Sequence, residues 1–160
     1  MLKISGLSIG LLVVVSARCL VAAEIKPAVS ARAVALRVIN FLYFEGDVEK
    51  AVQNYAEDAT YGNIRDPSSA VEYIRKQQIT LPHEGITLKE IVFFTEKDLD
   101  RVSKRYPDRI WNRTREPMRG GLGFLVVFEV KTPQETGIAL VVSVLKKRKG
   151  EYKIVHTDDN

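Results

Sequence analysis

Apolar positions along this chain recur at two spacings, and the change between them comes near Ile86. From about Ser30, Val34, Val38, Phe41 and Leu42 return at helical intervals, with Ala35 and Ile39 beside them and Arg32 and Arg37 pointing elsewhere. Gly46-Asp47 breaks that helix, and Asp47 is placed to cap the next one, because its carboxylate can accept from free backbone N–H groups. Val48, Ala51, Val52, Tyr55 and Ala56 then form one buried stripe, leaving Glu49, Lys50, Gln53 and Glu57 on the wet side. Asp66-Pro67 opens a third helix, with Ser69 and Glu72 as an alternative capping pair, and Pro82 closes it.

Beyond Ile86 the period falls to two. Ile86–Thr95 reads as a strand, Leu122–Lys131 alternates along its length, and Ile138–Lys147 is apolar on both faces, as in the middle of a covered sheet. Gly150 turns the chain into Glu151–Thr157 and makes a terminal hairpin. Three helices followed by antiparallel strands give an α+β domain over residues 30–160.

A helix ending in Gly46-Asp47, a short helix running into Tyr55-Ala56-Glu57-Asp58-Ala59-Thr60, then Asp66-Pro67 and a third helix together resemble the nuclear transport factor 2-like superfamily. Within it the chain looks most similar to ketosteroid isomerases and SnoaL-like polyketide cyclases. The likeness is carried by about Ala33–Pro82 and continues as strand order alone. It implies three N-terminal helices packed in a strongly curved antiparallel sheet, a cone-shaped barrel whose open mouth is the pocket. It does not imply one function, since such a fold hosts enzymes, carriers and interaction modules.

The first residues bear on location. Lys3 precedes an apolar run, Ile4–Val15, and Val21-Ala22-Ala23 puts small residues before Glu24. Residues 1–23 therefore read as a secretory signal peptide and 24–29 as a linker, so the mature chain is expected to be secreted or periplasmic, without a stable membrane span. Cleavage removes Cys19, the only cysteine, and with it any disulfide or thiol chemistry. Formal charge is +4, and loss of Lys3 and Arg18 leaves 22 basic against 20 acidic residues, which is not the footprint of a nucleic-acid binder.

Candidate chemistry is sparse. The resemblance implies a tyrosine donor in the first helix, where Ile39 stands, and a base before the third helix, where an ungapped count gives Asn63 and alignment of Asp-Pro gives Asp66. An amide takes no proton near neutral pH. Asp66 also has a plain role as N-cap before Pro67. Glu129 is the one acid inside a strongly apolar strand; burial would raise its pKa and suit acid–base work, while the outer face would make it ordinary. Tyr43, Tyr61, Asn63 and Trp111 are candidates for the pocket wall. Seven basic residues between Arg101 and Arg119 surround Tyr106 and Trp111, and they read more simply as charges guarding a strand edge than as an anion site. Asn112-Arg113-Thr114 is a glycosylation sequon, with Asn112 the acceptor in a host that modifies secreted proteins. No histidine–carboxylate spacing suits a metal, and no cofactor fingerprint occurs.

Three functions remain open on these residues. The first is a non-catalytic pocket for a small hydrophobic ligand or a protein partner. The second is an isomerase- or cyclase-like enzyme using Asp66 or Glu129, and the third a dimerisation module with a filled cone. Since one face of Ile138–Leu145 would be left apolar in water, a homodimer through the sheet face is expected.

Overall fold

The computed structural model describes residues 25–62, 69–76 and 80–160, with side chains described from Ala31 onward. The leader expected over residues 1–23, and with it Cys19, lies outside the described residues, as do Asn63 and Asp66. Among the described residues no helix is long and apolar enough to cross a membrane.

Helix α1 spans Ile25–Ile39 and runs directly into a wider, π-helical turn over Asn40–Glu45. Gly46 ends it in the left-handed region, at φ 67°, which costs glycine nothing. Asp47 then caps α2 (Val48–Val52) as its sequence suggests, accepting from the Lys50 N–H at 3.0 Å. The α2 stripe stops early. Asn54 folds its side-chain amide back onto the Lys50 carbonyl at 3.0 Å, and Tyr55–Tyr61 leaves as strand β1. Helix α3 is described over Ala70–Lys76, with Ser69 Oγ accepting from the Glu72 N–H at 3.4 Å.

Strands β2 (Ile86–Thr95) and β3 (Leu122–Lys131) have the bounds their alternation indicates, while β4 (Thr136–Arg148) and β5 (Glu151–Asp159) are longer than expected. Between β2 and β3 lie α4 (Leu99–Arg105) and α5 (Ile110–Thr114). The sheet order is β1-β5-β4-β3-β2. All pairings are antiparallel except β1 with β5, which run parallel.

This corrects the expected architecture. The sheet is mixed and open, with β1 and β2 as separate edges, and it is neither closed nor strongly curled into a cone. Helices are interspersed with strands instead of preceding them as a set of three. Two misreadings account for the difference. Tyr55–Tyr61 is rich in helix-tolerant residues, yet pairing with β5 overrides that local preference. The charged stretch after Thr95 forms two helices because Leu99, Val102, Ile110 and Trp111 all turn inward, each at most 4% exposed.

Those two helices explain why β3 and β4 are apolar on both faces. One face carries Phe124, Val126, Phe128 and Val141 beneath α1 and the π turn, where the Tyr43 ring meets Phe128 edge-on at 5.0 Å. The other carries Leu125, Val142 and Val144 beneath α4 and α5, where Trp111 meets Phe94 edge-on at 5.8 Å. Val142 and Val144 are fully buried within the chain. Of the apolar set on β4 that pointed to a dimer, Leu140, Val142 and Val144 are thus covered within the chain, while Ile138 stands half exposed.

Candidate functional site: a cleft with a tyrosine-held carboxylate

Alternation along β5 sends consecutive residues to opposite sides of the sheet, and the end of that strand is polar on both. On the α1 side, Thr157 bonds to Ser143 Oγ at 2.9 Å and lies 3.4 Å from the Tyr55 hydroxyl, all buried. Asp159 comes next on that side. Its carboxylate oxygens accept one bond each from the hydroxyls of Tyr61, on β1, and Tyr73, on α3. The two rings stack nearly parallel, 14° apart.

Burial, and then the Asp159 bond, push the Tyr73 hydroxyl pKa up to about 12, and the same causes raise Tyr61 further. Both phenols therefore hold their protons at neutral pH and serve Asp159 as donors. Tyr43 is raised too, chiefly by burial.

In front of this group is a cleft of about 320 Å³. Leu42 and Tyr43 form one wall, Tyr73 and Ile74 another, and Phe128, Ala139 and Val141 the sheet side. Asp159 and Thr157 give it a polar end, and Glu135 stands exposed on the β3–β4 turn at its edge. Such a combination of apolar walls and a few convergent polar groups is typical of small-molecule sites.

On the opposite face, Asp158 is 1% exposed and lies 2.6 Å from Arg113 Nε on α5. The contact is a close ion pair without the alignment of a hydrogen bond. Burial raises the Asp158 carboxyl to about 6 in spite of Arg113. His156, on the same face, meets Thr60 Oγ1 through Nδ1 at 2.9 Å, and its Nε2 finds no partner among the described residues. Burial, helped by Arg113, lowers it to about 4, so it is neutral at physiological pH.

The residues proposed from sequence are scattered. Tyr43 lines the cleft, and Tyr61 stands behind Tyr73 as a donor to Asp159. Trp111 is buried on the far face, where its indole N–H donates to the Tyr106 carbonyl. Glu129 lies away from the cleft between Lys89 at 3.0 Å and Lys131 at 3.1 Å. Hydrogen bonds from those lysines lower its pKa, the opposite of the rise that acid–base work would use. Asn112 is exposed on α5, but Thr114 of the same sequon is buried, donating to the Ile110 carbonyl at 2.8 Å. Asn63 and Asp66 lie outside the described residues, and the described residues hold no group of three or more His, Cys, Asp or Glu able to bind a metal.

Within the basic stretch, three arginines besides Arg113 are in ion pairs: Arg101 with Asp98 at 3.0 Å, Arg105 with Glu90 at 2.9 Å, and Arg115 with Asp100 at 2.8 Å. Asp159, Tyr73 and the Asp158–Arg113 pair were not found from sequence. The signal was present: two consecutive acids finish an apolar strand, and alternation must send one to each face.

No family model matches this chain, and no curated protein matches it. Among solved structures it is similar to an NTF2-like protein with a cystatin-like fold from Novosphingobium aromaticivorans. Identity is 10%, the match covers 82% of this chain and 79% of that one, and the TM-score is 0.41. The match is distant and carries no conclusion about the family of this chain. It says nothing of ketosteroid isomerases or SnoaL-like cyclases in particular, and no residue role is taken from it. The apolar cone, as a ligand pocket, as an isomerase-like site or as a filled core, is set aside with the closed sheet it required.

Proposed function

We propose that this protein binds a small amphipathic molecule in the half-open cleft between the π turn, α3 and one face of the sheet. The observation that carries this is Asp159: a carboxylate held in place by two phenols, at the end of a cleft whose walls are aliphatic and aromatic. Fixing two tyrosines onto one acid costs side-chain entropy, and it leaves the carboxylate pre-positioned for a ligand's donor. This differs in chemistry from a cone for a hydrophobic ligand, because a wholly apolar ligand would take water from the acceptor sites that the two phenols leave open on Asp159 and give no donor in return.

The test is a fragment screen followed by amide chemical shifts. Ligands that bind should move resonances of Ala139, Val141 and Thr157 together. Ala139→Phe places a ring in the cleft from a half-buried position, and it should abolish those shifts while the rest of the spectrum stays native. Shifts that cluster elsewhere, or that survive Ala139→Phe, would overturn the assignment of the cleft.

A further inference from the structure

We infer that the molecule this cleft takes is a cation, a protonated or quaternary amine on an apolar body, with its charged head against Asp159; this rests on the cleft being a binding site. Charge is the first ground. Among the described residues that line the cleft there are two carboxylates, Asp159 and Glu135, and no lysine, arginine or histidine. Both donors to Asp159 are neutral phenols, so they orient the carboxylate without cancelling its charge.

Among the described residues, the guanidinium that reaches Asp159 is already engaged. Arg113 has its Nε 2.6 Å from Asp158 on the other face, and through Nη2 it reaches only the main-chain carbonyl of Asp159, at 3.4 Å. With Arg113 set against Asp158, one negative charge is left over, and it faces the cleft. A carboxylate has about four lone-pair sites, so after two phenol bonds Asp159 can still accept two more.

The walls are the second ground. Tyr43, Tyr73 and Phe128 present aromatic surface around the space in front of Asp159. An ammonium or trimethylammonium head is attracted to such faces, more strongly where water is excluded. An anionic ligand would meet two acids and no cation. A neutral alcohol could donate to Asp159, but it would leave the charge in place.

The experiment compares three probes that share one body and differ at the head: phenylbutylamine, phenylbutanol and phenylbutyrate. Calorimetry on the full chain at neutral pH should rank the amine about tenfold tighter than the alcohol, with phenylbutyrate weakest, since both amine and alcohol can donate to the carboxylate but only the amine adds an opposite charge. Asp159→Asn should bring the amine down to the level of the alcohol. If the alcohol or phenylbutyrate binds the unmodified protein as well as the amine does, the cation inference falls and the binding site stands. If none of the three binds in the cleft, both fall. Should Asp159→Asn fail to fold, the order of the three probes on the unmodified protein decides the question alone. An amine preference that persists in a folded Asp159→Asn protein overturns the role given to that carboxylate.

Discussion

Asp158 and Asp159 are neighbours in β5 and serve opposite faces of the sheet: Asp158 lies 2.6 Å from Arg113 Nε under α5, and Asp159 accepts from Tyr61 and Tyr73 beside the cleft. One acid closes an ion pair under α5, and the other lines the cleft. The division follows from strand geometry alone, since successive side chains of a strand cannot share a face.

The structural role of the first acid can be measured. Asp158 is 1% exposed, so removing Arg113 strands a buried carboxylate. Arg113→Leu should destabilise the domain by about 2–4 kcal/mol, toward the low end because the arginine itself is partly in water. Adding Asp158→Asn should restore a large part of that loss. Urea melts of the two single variants and the double variant form the cycle. Additive losses in the double variant would mean that the pair is not coupled.

Individual elements of this fold were legible in the chain, its architecture was not, and what was missed has identifiable causes. Alternation placed β2 and β3 with their observed ends, because a period of two is unambiguous over ten residues. The cap at Asp47 was legible because capping is local chemistry. Strand β1 was not, since Tyr55–Tyr61 becomes a strand only by pairing with β5, almost a hundred residues away in the chain. Helices α4 and α5 were hidden by charge: seven basic residues drew attention to the wet side, while Leu99, Val102, Ile110 and Trp111 marked the buried one. The candidate site depended on both omissions. Without β1 there is no place for Tyr61 beside Asp159, and with β5 ended at Thr157 the two acids fall off the sheet.

Close packing between β2 and β3 gives a second prediction. Phe94 and Gly123 are cross-strand partners, and a Cβ on Gly123 would run into the Phe94 ring. The ring is 1% exposed and meets Trp111 edge-on, so it has little room to move aside. Gly123→Ala should therefore cost about 1–3 kcal/mol by overpacking. Phe94→Leu, itself destabilising, should make Gly123→Ala milder when the two are combined. If Gly123→Ala melts with the unmodified protein, the ring is not where the register puts it.

The covered face of β4 gives a third. Val142 is fully buried beneath the chain's own helices, whereas Ile138 on the same strand is 51% exposed. Val142→Lys should abolish folding, because a lysine there has neither water nor a counter-charge. Ile138→Lys should stay within about 0.5 kcal/mol of the unmodified protein. Circular dichroism with thermal melts separates the two outcomes. A folded, monomeric Val142→Lys protein would instead mark that face as an interface between copies.

The last prediction concerns pH, where the two buried titrating groups on the α5 face oppose one another. Asp158 has its pKa raised from 3.8 to about 6, mainly by burial. Between those values the folded protein keeps a proton that the unfolded chain has released. Its contribution is thus fully present below pH 3.8 and is lost as pH rises through 6. His156 has its pKa lowered from 6.5 to about 4, again mainly by burial. There the unfolded chain holds the extra proton, so stability is present above pH 6.5 and is lost as pH falls through 4. Each slope is worth on the order of 3 kcal/mol across its window, and over pH 4–6 they nearly cancel. Removing one group should expose the other. His156→Gln should lose stability relative to the unmodified protein as pH rises from 4 to 6, and Asp158→Asn should gain it over the same interval. Carboxylates elsewhere contribute the same slope to every form, so the difference from the unmodified protein is the quantity to read. Denaturant melts at intervals across this range give both curves. If the two difference curves run in the same direction, the burial assigned to at least one of these side chains is wrong.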